Sequence, residues 1–227
     1  MRNIAAIFDM DGTLIDNNPY HFKSWQVLFH NHGKPQLSKE TFNKEMSGVP
    51  AMVTLRKYFG SEYDEDGLKQ LFKEKDEIYH HEYAPHIKPI EGLEHFLKRL
   101  KDSGIKTAVA SSASTVNVEF AFCRLSIRPY FDAMIDATGI TKPKPEPQIF
   151  LKAAEALHIE PVKCVVFEDS VSGVKAANAA GMRVVAITTT HKAGELKPVD
   201  MVIDDYTQIT VTQLLQLFED NHERKHQ

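Results

Sequence analysis

Four short apolar runs, residues 4–8, 107–110, 164–167 and 184–187, constrain the fold more than any other feature of the chain. Each is too short for a typical helix and rich in Val, Ile and Ala, the composition of a strand buried on both faces. Between the later runs lie stretches of helical spacing, such as Leu93, Phe96, Leu97 and Leu100, with Gly104 placed to end that helix. Strands alternating with helices imply right-handed crossovers and a parallel sheet covered by helices. The expected fold class is α/β, with a Rossmann-like core.

The first and second runs are too far apart for a single crossover, and the residues between them contain almost no β-branched runs. Phe22, Trp25 and Phe29 share one helical face, and Met52, Leu55 and Phe59 share another. Leu68, Leu71, Phe72, Ile78 and Tyr79 mark a longer helix. We read residues 17–86 as an inserted helical domain and residues 1–16 with 87–227 as the core domain. Pro85 and Pro89 shape the return into the sheet.

At 227 residues the chain has room for one large domain or one domain with an insertion. Hydrophobic residues at 42% and charged residues at 26% describe an ordinary globular protein rather than a disordered one. A net charge of -4, with no basic block before the terminal His222-Glu223-Arg224-Lys225-His226, argues against a nucleic-acid partner and marks that tail as a solvated end. No apolar run approaches the roughly 20 residues of a membrane span. Met1-Arg2-Asn3-Ile4 leads into a strand-like segment rather than a signal-peptide core, so a cytoplasmic protein without membrane contact is expected, and a monomer. Cys123 and Cys164 form no metal or disulfide pattern and read as buried free thiols.

The first run ends in Phe8-Asp9-Met10-Asp11-Gly12-Thr13. Carboxylates at i and i+2 of an extended chain point to one side, and ligands of open α/β sheets bind beyond the carboxyl ends of the strands. Two close carboxylates raise each other's pKa unless a cation or a shared proton relieves them, and a hard divalent ion does so. A polar turn is the plain alternative; a calcium loop would need a third oxygen ligand before its Gly. The third run repeats the arrangement with Glu168-Asp169-Ser170 and Gly173. The second ends at the hydroxyl pair Ser111-Ser112, with Ser114 placed as a helix N-cap. Lys142 stands beside the prolines of Thr141-Lys142-Pro143-Lys144-Pro145-Glu146, which stiffen its backbone ahead of a helix. Acids, hydroxyls and a cation suit phosphoryl transfer: a metal and a Lys neutralise phosphate oxygens, one carboxylate attacks phosphorus and a second moves a proton.

Those four segments, in that order, resemble the motifs of the haloacid dehalogenase superfamily, and the likeness spans nearly the whole chain. The resemblance implies that Asp9 is the nucleophile and Asp11 the general acid/base. It also implies Mg2+ held by Asp9, the Asp11 carbonyl and Asp169 with Glu168 nearby, and a phosphoryl group held by Ser111 and Lys142, with Ser112 beside it. The helical insertion is similar to the cap of the subfamily that contains β-phosphoglucomutase and many sugar-phosphate phosphatases. By that likeness His21, in Pro19-Tyr20-His21-Phe22, lies near the acid/base, and Gly48, in Gly48-Val49-Pro50-Ala51-Met52, contacts substrate.

The expected activity is Mg2+-dependent hydrolysis of a small phosphorylated metabolite. A sugar phosphomutase is the alternative, but where mutases of this type carry an Arg for the second phosphate this chain has Ala51. Lys23, Lys44 and Arg56 are the cations available to compensate. A dehalogenase would leave Asp11 without a proton to move. A phospho-accepting receiver domain, the non-enzyme reading, would lack the long insertion.

Overall fold

The computed structural model describes residues 3–47 and 49–219; Met1, Arg2, Gly48 and the basic run 222–226 lie outside the described residues. The chain divides into two units, Met1–Asp16 with Lys88–Gln227, and Asn17–Ile87.

The first unit is built on a parallel sheet of order β3-β2-β1-β4-β5-β6. Its strands are β1 (Ala5–Phe8), β2 (Lys106–Ala110), β3 (Ala133–Ile135), β4 (Cys164–Glu168), β5 (Arg183–Ile187) and β6 (Met201–Ile203). The four apolar runs are the four inner strands. The edges β3 and β6 have three residues each and are only partly buried, so neither shows the continuous apolar run that marks a two-sided strand.

The helices, in chain order, are α1 (Asn18–Asn31), α2 (Lys39–Glu45), α3 (Ala51–Phe59), α4 (Glu65–Tyr83), α5 (Leu93–Asp102), α6 (Thr115–Phe122), α7 (Gln148–Leu157), α8 (Val171–Ala179) and α9 (Val211–Glu219). In α5 the expected Leu93, Phe96, Leu97 and Leu100 are the buried face, and Gly104 takes φ +68°, a conformation only Gly adopts freely. Ser114 caps α6 by accepting the Asn117 N–H.

Alternation along the strands sorts the sheet faces. Ala5 and Ile7 of β1, Ala108 and Ala110 of β2 and Cys164 and Val166 of β4 join the core that includes Phe150 and Ala153 of α7. Phe8 and Phe167 stack at 4.6 Å, with Phe96 and Tyr206 against Phe167. Each such fully buried side chain contributes about 1.5–3 kcal/mol relative to exposure. The parity has a consequence at the strand ends: Asp9 continues the Ala5/Ile7 side and Glu168 the Cys164/Val166 side, the face that α7 covers.

The second unit is helical, with a core of Trp25, Leu28, Phe29, Leu55, Phe59, Leu68 and Leu71. The seven-residue α2, which buries only Phe42, was not anticipated. Among the described residues no helix is long and apolar enough to cross a membrane. Of the two thiols, Cys164 is buried in β4, but Cys123 is exposed where α6 ends, contrary to expectation.

Candidate active site

The turn after β1 closes tightly: the Met10 carbonyl accepts N–H groups of Thr13 and Leu14 at 3.2 and 2.8 Å, and Gly12 takes φ +78°. A Cβ at Gly12 would lie 2.0 Å from Asp169 Oδ2. The Gly is therefore what lets the β1 and β4 acid loops approach each other. Thr13, wholly buried, donates Oγ1–H to Asp169 Oδ1 at 3.2 Å. The buried Tyr206 donates its hydroxyl to the Thr13 carbonyl at 3.0 Å.

The lysine at this site is Lys144, and the expectation for Lys142 is corrected. Lys144 Nζ donates to Asp9 Oδ1 at 2.5 Å and to Glu168 Oε1 at 2.7 Å, and its side chain is 7% exposed. Lys142 is exposed, and its N–H donates to Gln148 Oε1 at 2.7 Å. The sequence contains two Lys-Pro pairs in tandem, and spacing alone does not choose between them. The pair one turn before α7 carries the buried amine, because α7 covers the sheet face on which Asp9 and Glu168 end.

Glu168 also departs from expectation. Its Oε1 takes Lys144, and its Oε2 takes the Ser170 N–H and hydroxyl at 2.8 and 2.9 Å. Both oxygens are committed to fixing the lysine and the start of α8, so Glu168 is a poor ligand for an ion. A Cβ at Gly173 would fall 1.6 Å from Glu168 Oε1, so that position requires Gly.

Ser111 is fully buried at the end of β2; its N–H donates to the Ile135 carbonyl at 2.9 Å and its Oγ accepts the Ala113 N–H at 3.0 Å. Lys144 Nζ lies 3.5 Å from the Ala110 carbonyl, which brings the Ser111 loop beside the acids. Ser112 is exposed at the same edge, and Asp11 is half-buried next to Gly12. His21 belongs to the second unit. Its ring stacks on Tyr79 at 4.2 Å, and the buried Lys75, paired with Asp76 at 3.2 Å, places Nζ 3.3 Å from Nδ1. Burial first, then Lys75 and His80, hold the His21 pKa well below the usual range, so the ring is neutral. Gly48 lies outside the described residues.

Electrostatics follow from burial. Asp9, Glu168 and Asp169 are 6%, 1% and 4% exposed, and Asp9 and Glu168 share one buried ammonium. Burial pushes Asp9 up to about 8; Glu168 and Asp11 add to the rise while Lys144 opposes it. Asp169 is raised well above the carboxylate range by burial, Glu168 and Asp9. Lys144 is disfavoured by burial, but Asp9 and Glu168 outweigh that and keep it protonated. The site lacks positive charge, which a divalent cation would supply. Among the described residues no three His, Cys, Asp or Glu side chains form a ready-made metal cage. Mg2+ takes one or two carboxylates and keeps waters or phosphate oxygens. Asp9 and Asp169 are the carboxylates that fit.

The family model for haloacid dehalogenase-like hydrolases matches residues 6–187, from β1 through β5. The chain belongs to that family. Within it, the chain is 34% identical to the phosphorylated carbohydrates phosphatase of Thermotoga maritima, over 78% of this chain and 82% of that protein. It is 31% identical to the β-phosphoglucomutase of Bacillus subtilis, over 81% and 82%. Among solved structures, the β-phosphoglucomutase of Clostridium difficile superposes with a TM-score of 0.85 at 27% identity, covering 96% of this chain and 98% of that one. This haloacid dehalogenase-like hydrolase is thus an α/β enzyme with a helical cap domain inserted after β1. Lys144, Thr13 and Tyr206 are site residues that sequence reasoning missed; the Pro-Glu-Pro-Gln that follows Lys144 into α7 was the available signal for the first.

Proposed function

We propose that this enzyme is a Mg2+-dependent phosphatase of small phosphorylated metabolites, sugar phosphates foremost, working through an aspartyl-phosphate on Asp9. The observation that carries the reading is the buried Asp9–Lys144–Glu168 array, which sets a carboxylate against a fixed cation at the carboxyl end of β1.

The chemistry follows from the residues. Lys144 stabilises Asp9 as the anion, and one Asp9 oxygen attacks phosphorus while the bond from phosphorus to the leaving oxygen breaks. Asp11, protonated at the start, gives that oxygen its proton, then takes one from the water that attacks the aspartyl-phosphate, which regenerates the Asp9 carboxylate and the protonated Asp11. Ser111 and the backbone N–H groups after β2 face the phosphoryl oxygens, and Lys144 offsets the charge that develops on them. Bound at Asp9, the Asp11 carbonyl and Asp169, Mg2+ would add charge neutralisation of the phosphate.

Similarity to β-phosphoglucomutases favours mutase chemistry as a second reading. Two cap features favour hydrolysis. Ala51 opens α3 without a cation, and Arg56 is held by both carboxylate oxygens of Glu65, each at 2.9 Å. Lys23 and Lys44 are exposed. Phosphate release from a panel of sugar phosphates tests the proposal. Mg2+-dependent release that is lost in Asp9→Asn is the expected result; conversion of β-glucose 1-phosphate, given a trace of the bisphosphate, into glucose 6-phosphate with little free phosphate would establish the mutase instead.

A further inference from the structure

The residues just after β5 belong to none of the four motifs, yet they reach two of the acid loops. Thr189 Oγ1–H donates to the Gly12 carbonyl at 2.5 Å. The Thr190 hydroxyl faces the Asp169 carboxylate and favours its ionised form, and its Oγ1 stands 2.9 Å from the point where a Gly12 Cβ would project, beside Asp169 Oδ2. His191 Nδ1 lies 3.1 Å from the Asp169 carbonyl; a carbonyl only accepts, so Nδ1 carries the proton. The segment is itself anchored, because the Thr188 N–H donates to the Ile203 carbonyl at 3.0 Å and the Thr188 hydroxyl to Asp204.

Asp169 therefore has a hydroxyl on each side, Thr13 of the β1 loop donating to Oδ1 and Thr190 of the β5 loop facing the carboxylate. Hydroxyls on both sides of one buried carboxylate restrict its rotamer and aim its remaining lone pairs. The Thr189 contact holds the peptide that adjoins the Asp11 carbonyl. Without these contacts a carboxylate with two acidic neighbours, Glu168 and Asp9, would turn away from them, and an ion would have to draw it back on binding.

We propose that Thr189, Thr190 and His191 form a positioning clamp that presets Asp169 and the Asp11-Gly12 turn for Mg2+, so that the segment after β5 sets metal affinity together with the acids. The inference rests on reading the acids as a Mg2+ site. Thr190 is the most informative position, since Thr190→Val keeps the shape and deletes the donor while Thr190→Ser keeps the donor.

The test is calorimetric titration of the full chain with Mg2+ alone, followed by phosphate release as a function of Mg2+. Thr190→Val is expected to weaken Mg2+ binding about tenfold, the usual effect of removing a partner of a metal ligand. Thr190→Ser is expected to bind close to wild type. The Mg2+ concentration for half-maximal rate should move by the same factor, with much less change in the rate at saturating Mg2+. Thr189→Val should act in the same direction, which gives a second reading should Thr190→Val melt abnormally. Wild-type Mg2+ affinity in both valine variants overturns the clamp and leaves the metal site standing, and so does equal loss in Thr190→Val and Thr190→Ser. Absence of Mg2+ binding by the wild type overturns both.

Discussion

Lys144 Nζ lies 2.5 Å from Asp9 Oδ1, and this ion pair joins residues 135 positions apart in the chain. It places the buried ammonium that also holds Glu168 on the carboxylate proposed to attack phosphorus.

Replacing that amine should therefore separate the two lysines. Lys144→Met is expected to lower kcat by on the order of 10²–10³, as for loss of one preorganised donor at a developing charge. Removing one partner of a buried pair should also cost about 3–5 kcal/mol of stability, less where Asp9 takes up a proton. Lys142→Met, at an exposed position, should stay near wild type in both. Steady-state kinetics and denaturant melts of the two variants check this; equal losses would refute the assignment to Lys144.

Metal-free stability should depend on pH in a direction set by Asp9. Its pKa lies near 8 in the folded chain against an ordinary 3.8, so the fold binds a proton that the unfolded chain has released between those values. The associated stability is present below about pH 4 and is lost as pH rises to about 8. In chelator, thermal melts should fall across that window, with Asp169 adding to the slope; Mg2+ should restore more stability at pH 8 than at pH 5. Asp9→Asn should flatten the slope. A chelated wild type that melts at a constant temperature from pH 5 to pH 8 would contradict the electrostatic account.

Gly173→Ala should damage the site from a distance. Its Cβ would overlap Glu168 Oε1 at 1.6 Å, and Glu168 is the second partner of Lys144. A destabilisation of about 1–3 kcal/mol, typical of overpacking, is expected together with lower kcat. A calorimetric melt and a rate measurement suffice, and a variant indistinguishable from wild type would show that Glu168 can move without consequence.

Adding the missing cation to the cap should shift the balance of products. Ala51→Arg is expected to tighten binding of a sugar bisphosphate by on the order of tenfold, the worth of a charge-assisted hydrogen bond, and to raise the share of glucose 6-phosphate formed from β-glucose 1-phosphate. Unchanged bisphosphate affinity would remove Ala51 from the argument for hydrolysis.

Much of the core was legible because its inner strands are buried on both faces and so are written as apolar runs. The acids at their ends stood out for the same reason: Asp9 and Glu168 interrupt runs where charge is otherwise excluded. What escaped lacks that contrast. The strands β3 and β6 are short, half-buried edges. Lys75 sits in the polar stretch Lys73-Glu74-Lys75-Asp76-Glu77 and reads as a solvated face, although it is 4% exposed. Lys142 and Lys144 each precede a proline, and it is the packing of α7 on the sheet that buries one and not the other. Thr190 acts through tertiary proximity to Asp169, which no spacing encodes.

The central claim is that Asp9 carries the phosphoryl group, and acid quenching during turnover of a sugar phosphate in Mg2+, followed by peptide mass spectrometry, tests it most directly. The account predicts one phosphoryl group on the peptide that contains Asp9, localised to Asp9 and absent from Asp9→Asn. Turnover with the label on another residue, or undiminished turnover by Asp9→Asn, would contradict it.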